Sequence, residues 1–410
     1  MNNILSEKEY QRFIIDKLVS ENGYIERKNV CFDRNFAIDR EMLFKFLDDT
    51  QPETMAQIRK VYKDVTEDTV VNFINTEITK AKSSLLSVLK HGVEIAGYKL
   101  DLMYTKPATT FNKDLLIKYN KNIFSVMEEV CPNQEKLNRA KDSDWVDLVI
   151  FLNGFAIMSF ELKCNFAGQS YQDAILQYRT ERNPKDRLFY FKAGCLVNFA
   201  MDLQEVYMTT RLAGEGTFFL PFNTGSGVGI DAGKGNPVYP DKYSVYYMWE
   251  DILKKDTVLD LISEFIFIER KEETDEVTGK TTVKEKVIFP RYHQLDVIRK
   301  TIADVEVNRT SQNYLIQHSA GSGKTNSIAW LAHRLSSLHD EENKIVFDNI
   351  IICTDRVVVD RQLQDAVRGI EHKTGLIKVM DDKCSSADLA QALQSNIKII
   401  GTTIQKFPYI

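Results

Sequence analysis

Two groups of residues in this 410-residue chain have types and spacings suited to phosphate chemistry. The first is Ala320-Gly321-Ser322-Gly323-Lys324-Thr325. Glycines let a backbone close around phosphate oxygens, a helix starting there offers unpaired N–H groups, Lys324 can reach β- and γ-phosphates, and the Thr325 hydroxyl can sit on Mg²⁺. This set reads as a binding loop for a nucleotide such as ATP. The second is Asp147 with Glu161-Leu162-Lys163. Its carboxylates could hold one or two Mg²⁺ ions, and its lysine could orient or deprotonate an attacking water. That chemistry hydrolyses a phosphodiester.

Each set works only if the elements around it hold it in place. The apolar run Asn313-Tyr314-Leu315-Ile316-Gln317-His318 predicts a buried strand before the loop, and Ser327 to Leu335 has helical spacing after it. Gly279-Lys280-Thr281 repeats the core of the motif but follows a charged stretch, with no apolar strand before it and no helix after it. It reads as an exposed hairpin tip. For the acidic set, Val146 to Leu152 and Phe155 to Leu162 read as strands joined at Asn153-Gly154. Glu161 and Lys163 leave one face of a strand. With an unbroken ladder and a two-residue turn, 147 pairs with 160 and Asp147 leaves the opposite face. A three-residue loop, Leu152-Asn153-Gly154, with Gly154 left-handed, pairs 147 with 159 and restores the site. The expectation is therefore an odd loop or a bulge. Glu161 closes an apolar run, so it is partly buried and needs a partner. Gln177 and Tyr178, on a helix predicted from Tyr171, either brace the site or a DNA phosphate or belong to a plain amphipathic helix.

The remaining sequence fits a mixed α/β architecture. Residues 7 to 20 place Tyr10, Phe13, Ile14 and Leu18 on one helical face and Glu7 and Gln11 on another; residues 40 to 95 continue helical, and β-type runs begin near 97. Seven glycines between 214 and 235 mark a structural or DNA-adjacent loop. Residues 269 to 286 are charged and form a boundary, after which strands (Asn349 to Cys353, Ile397 to Thr403) alternate with a helix (Val357 to Val367), the pattern of a parallel sheet. The net charge of −5 gives no general affinity for nucleic acid. Six scattered cysteines suit a reducing compartment, and the lack of a long apolar run or signal peptide predicts a soluble, cytoplasmic protein without membrane association.

In order, Asp147, Glu161-Leu162-Lys163, Gln177-Tyr178-Arg179, Phe219-Leu220-Pro221-Phe222-Asn223, Arg291-Tyr292-His293-Gln294 and the Lys324 loop resemble the N-terminal part of the motor and restriction subunit of type I restriction enzymes. The resemblance implies a PD-(D/E)xK endonuclease domain over 1–268, a charged linker or hairpin over 269–286, and the first RecA-like superfamily 2 motor domain over 287–410. It makes Asp147, Glu161 and Lys163 catalytic, with Mg²⁺ on the two carboxylates and Gln177 and Tyr178 in support. It also has Gln294 reading the adenine of ATP, and Thr354, Arg356, Thr402, Thr403 and Gln405 tracking DNA. The implied partners are double-stranded DNA and the specificity and methyltransferase subunits of a restriction-modification complex.

Three positions depart from the family pattern. His318 stands where G-x-x-x-x-G-K-[ST] has its first glycine, as in the looser loops of superfamily 2; Ala174 stands four before Tyr178, where many relatives carry glutamine; and Gln11 stands where some carry an acid on the first helix. No D-E-x-x motif occurs by Ile410, so residues 1–410 are expected to bind nucleotide weakly without robust ATP hydrolysis. Competing expectations are a stand-alone nuclease-helicase fusion in repair or defence, and a degenerate nuclease serving as a DNA clamp.

Overall fold

The computed structural model describes all residues except 1–3, 110, 138–143, 227–232, 275–278, 280, 311, 355–362, 364–365, 368–369, 371–376, 381–383 and 410. The chain divides into two compact units, residues 1–106 with 113–263, and 107–112 with 264–410.

The first unit opens with α1 (Glu7–Ser20), nucleated by a reciprocal cap in which Ser6 Oγ accepts from the Glu9 N–H and the Glu9 carboxylate accepts from the Ser6 N–H. Tyr10, Ile14, Ile15 and Leu18 are buried, and so is Gln11. Then follow β1 (Ile25–Arg27), β2 (Phe32–Asp33), β3 (Ile38–Asp39), α2 (Arg40–Thr50), α3 (Pro52–Tyr62), α4 (Thr66–Thr79), α5 (Leu85–His91), β4 (Val93–Ile95), β5 (Tyr98–Leu100) and α6 (Lys113–Asn120). The rest of the unit is β6 (Phe124–Val130), β7 (Val146–Leu152), β8 (Phe155–Leu162), α7 (Tyr171–Thr180), β9 (Val197–Met201), β10 (Val206–Thr209), β11 (Leu220–Pro221) and α8 (Lys255–Asp260). The main sheet runs β1-β6-β7-β8-β9-β10-β11, with β3 also paired to β8. Every residue of β8 is buried, as in a strand covered on both faces. Helix α1 packs on β6 and β8, and α7 on β8 and β9.

The β7–β8 hairpin meets the demand made by the sequence through the second of the two expected devices, a bulge. Leu152 pairs with Phe155 and Phe151 with Ala156, so the connection is the two-residue turn Asn153-Gly154 and not the three-residue loop. Both turn residues have positive φ, 50° and 86°, as a type I′ turn requires. The register then shifts: Ile150 pairs with Met158 and Leu148 with Phe160, leaving Ile157 as a bulged extra residue. One step further, 147 stands opposite 161 on a shared face. The short turn is held from inside. Asn153 is fully buried; its Oδ1 accepts from the Ile123 N–H at 2.7 Å, and its amide donates to Leu102 O and Asn122 Oδ1, each at 2.9 Å.

The second unit begins with the hairpin β12 (Phe267–Thr274) and β13 (Thr281–Ile288), followed by α9 (Tyr292–Asn308), α10 (Lys324–Ser336), β14 (Ile350–Thr354), β15 (Ile377–Val379) and β16 (Ile399–Thr403). The last three strands form a parallel sheet in the order β14-β16-β15. Trp330 anchors α10: fully buried, it donates from Nε1 to Phe265 O at 2.9 Å. Residues 313–318 are not a strand, which corrects the expectation, and Leu315 is 93 % exposed. An apolar run becomes a strand only where another strand pairs it and a layer covers it, and the described parallel sheet offers this run no partner. The helix expected over Val357 to Val367 lies mostly outside the described residues, as do residues 227–232 of the glycine-rich loop, whose flanks pair through Gly225 N–H to Gly235 O at 2.9 Å. The GKT repeat sits at the hairpin tip; Gly279 is exposed, and Lys280 lies outside the described residues. Among the described residues no helix is long and apolar enough to cross a membrane, and all six cysteines are free thiols.

Candidate active site and nucleotide loop

Adjacent strands bring the acidic pair together. Asp147 is the second residue of β7, with its Oδ2 accepting from the Leu162 N–H at 2.6 Å, so it is tied to the backbone between Glu161 and Lys163. Glu161 is completely buried. Arg182, itself buried, donates from Nε to Glu161 Oε1 at 2.5 Å and from Nη2 to Trp145 O at 2.8 Å. Glu161 Oε2 is buried without a hydrogen-bond partner. Lys163 Nζ donates to Glu7 Oε2 and to Leu162 O, both at 2.9 Å. From α1, Gln11 donates to Asp147 O at 2.6 Å.

Two contributors escaped the sequence reading. Glu7 supplies an acid on the first helix, one turn before the Gln11 position where such a residue was sought. The four-residue spacing of Glu7 and Gln11 was the available signal, because it puts both on one side of α1. Arg182 had only an indirect signal, the need of a buried Glu161 for a cation. The helix after Glu-x-Lys is present as α7, and Tyr178 is fully buried with its hydroxyl 2.8 Å from Ser159 Oγ, which donates to Asn198 Oδ1 at 2.7 Å. Tyr178 therefore braces the floor of β8 and is not placed to meet a DNA phosphate. Gln177 is half-buried, and its Oε1 is buried without a partner.

Ionisation at the site follows from burial and mutual charge. Burial and then the neighbouring Glu161 hold the Asp147 carboxyl well above its usual range. Burial also raises Glu161, against the opposing pull of Arg182. Burial draws Lys163 down, but Asp147 and Glu7 outweigh it and its pKa ends above the ordinary lysine value. Lys163 is thus an ammonium at neutral pH, suited to orienting and charge stabilisation and not to taking a proton. Among the described residues no three His, Cys, Asp or Glu side chains form a ready metal cage. The donor set nevertheless fits a hard divalent cation: opposed carboxylates, both disfavoured as anions by burial, and one buried oxygen left unpaired.

In the second unit the glycine loop ends at Gly323, which caps α10 in the left-handed conformation at φ 85°. A Cβ there would lie 2.5 Å from Gln294 Nε2. Gln294 is buried, donating to Gly323 O at 2.9 Å and Ser322 O at 3.3 Å while accepting from the Arg291 N–H at 2.8 Å. Lys324 Nζ donates to Ser319 O at 2.8 Å and His318 O at 3.2 Å. The loop thus satisfies its own lysine, with Ala320 and Gly321 exposed, Ser322 buried and Thr325 half-buried on the first turn of α10.

His293 Nε2 lies 3.1 Å from Ser322 O, and burial lowers its pKa below the ordinary 6.5 despite that carbonyl. A depressed folded value means the unfolded chain takes up the proton first. The stabilisation is complete above about 6.5 and is lost as pH falls from there through the folded value. Thermal melting between pH 7.5 and 5.5 should show a smaller acid-side loss in His293→Gln than in wild type; equal slopes would contradict this.

Thr354 and Thr403 are paired at the C-terminal ends of adjacent parallel strands, the position where such sheets bind ligands. Thr354 Oγ1 is buried without a partner, Thr402 is wholly buried, Gln405 is exposed, and Arg356 lies outside the described residues.

Residues 4–217 match the family profile of the type I restriction enzyme R protein N terminus, and residues 293–409 that of the SWI2/SNF2 ATPases. Two proteins of Methanocaldococcus jannaschii are similar across most of the chain. One is named as a type I restriction enzyme MjaVIIIP endonuclease subunit, 26 % identical over 76 % of this chain and 27 % of its own length. The other is named as the MjaVIIP endonuclease subunit, 26 % identical over 79 % of this chain and 28 % of its own. A third, named as the MjaIXP endonuclease subunit, is 24 % identical over 64 % of this chain and 24 % of its own. The chain thus spans about a quarter of the length of these relatives. No solved structure matches.

Proposed function

Because the chain belongs to the type I restriction enzyme R proteins, through the N-terminal region matched by residues 4–217, we propose that it pairs a Mg²⁺-dependent nuclease of the PD-(D/E)xK kind with the first RecA-like domain of an ATP-driven DNA translocase. In this reading the nuclease domain extends to 268, the charged hairpin over 269–286 follows, and the motor domain starts at 287. Duplex DNA is the substrate, and the specificity and methyltransferase subunits of a restriction-modification complex supply the recognition.

The observation that carries the nuclease reading is the unpaired, buried Oε2 of Glu161 on the same face as Asp147. Asp147 and Glu161 would hold a divalent cation, which when bound supplies Lewis-acid activation of water and of the scissile phosphate. The chain's own residues do the rest. The Leu162 N–H fixes Asp147, Arg182 fixes Glu161, and Lys163, held by Glu7, presents a positive charge toward the developing negative charge on phosphate. In the motor, Lys324, now bonded to the Ser319 and His318 carbonyls, would turn to nucleotide phosphates, Thr325 would hold Mg²⁺, and Gln294 would meet the adenine. Thr354, Thr403 and Gln405 then lie toward DNA.

The test uses the full-length protein assembled with its specificity and methyltransferase subunits. Glu161→Gln should reduce plasmid linearisation by on the order of 10³-fold, several kcal/mol of lost charge stabilisation, and leave DNA-stimulated ATP hydrolysis intact. Undiminished cleavage would refute the assignment.

A further inference from the structure

Arg182 lies outside the Asp, Glu-x-Lys and Gln-Tyr positions, yet it is the residue most tightly joined to them. Its side chain is 1 % exposed against 0 % for Glu161, and a charge-assisted bond at 2.5 Å joins Nε to Oε1. A second bond from Nη2 reaches Trp145 O, two residues before Asp147. The guanidinium therefore links the exit of α7 to both strands that carry the acids. Of the two oxygens of Glu161, one is saturated by a permanent cation and the other is buried and unpaired.

We propose that Arg182 occupies the place of a second metal ion, so that the nuclease site binds a single divalent cation through the other oxygen of Glu161. The inference rests on the nuclease reading above. A second divalent ion on this carboxylate would have to take Oε1 or share Oε2, in either case close beside the buried guanidinium bonded to Oε1, where like charges in a dry environment repel strongly. Since guanidinium cannot give up its proton, the exclusion holds at every working pH. Arg182 is on this view a positioning residue: it sets the metal count and the oxygen used, without touching substrate.

Mn²⁺ titration of the full-length protein without nucleotide, followed by electron paramagnetic resonance, counts ions directly. Ions that disappear in Glu161→Gln are those of the nuclease site. Wild type and Arg182→Lys should each lose one ion, whereas Arg182→Met should show two, or one bound at least tenfold more tightly, as metal replaces the missing charge. Two such ions in wild type, or an Arg182→Met variant indistinguishable from wild type, would overturn the proposal. If Arg182→Met folds only with Mn²⁺ present, metal is substituting for the guanidinium and the proposal is supported; if it fails to fold even then, the wild-type and Arg182→Lys counts decide. Unaltered binding in Glu161→Gln would instead overturn the nuclease reading itself.

Discussion

Lys163→Ala, placed in the assembled enzyme, is expected to lower DNA cleavage by on the order of 10³-fold, comparable to removing a dedicated donor from a site that stabilises developing charge. ATP hydrolysis and translocation should continue. Lys163 is 5 % exposed and ionised, with its ammonium held between Glu7 Oε2 and Leu162 O. Its loss removes a positive charge from a pocket that already holds Asp147, Glu161 and Glu7, so the variant is checked by melting before assay. Lys163→Arg should recover part of the activity by restoring charge without the compact ammonium. Glu7→Gln should cost less, about 10- to 100-fold, the worth of one hydrogen bond to a charged group. Equal cleavage by wild type and Lys163→Ala would leave the first unit as a DNA clamp and not a nuclease.

The second large effect concerns stability. Gly154→Ala should destabilise the first unit by about 2–5 kcal/mol, combining a side chain in a left-handed conformation with overpacking. At φ 86° the added Cβ would meet Asp39 O at 2.5 Å, the Leu43 nitrogen at 2.7 Å and Leu43 Cβ at 2.9 Å, all at the start of α2. Two of those three atoms are backbone, and the Asp39 N–H donates to Gly154 O at 2.7 Å, so neither side can withdraw cheaply. Thermal melting of the full-length protein, with the transition of this unit followed separately, measures the effect. A melting temperature within a degree or two of wild type would show that α2 can move aside.

How much of this was legible in the sequence depends on the range of the interaction. The strands Val146 to Leu152 and Phe155 to Leu162, the helix opening near Glu7 and the need for a register correction before Glu161 all follow from local pattern, and the structure has them. Whether the correction came from a longer loop or a bulge was not local. It turned on the buried amide of Asn153, whose partners at 102, 122 and 123 are distant in sequence. The partnership of Glu7 with Lys163, 156 positions apart, and of Arg182 with Glu161 was hidden for the same reason. The failure at Asn313 to His318 is the converse: a locally strand-like run with which none of the described strands pairs.

The bulge at Ile157 carries an evolutionary consequence. Loop residues and bulged residues between Asp147 and Glu161 are interchangeable in one respect only: their sum must stay odd, since each unit added or removed turns one carboxylate to the far side of the sheet. Loss of the bulged residue alone would thus part the two carboxylates and silence the site. Descendants can lengthen or shorten the hairpin tip only in compensated steps, and a relative that has lost Ile157 or its equivalent should carry one more residue in its turn.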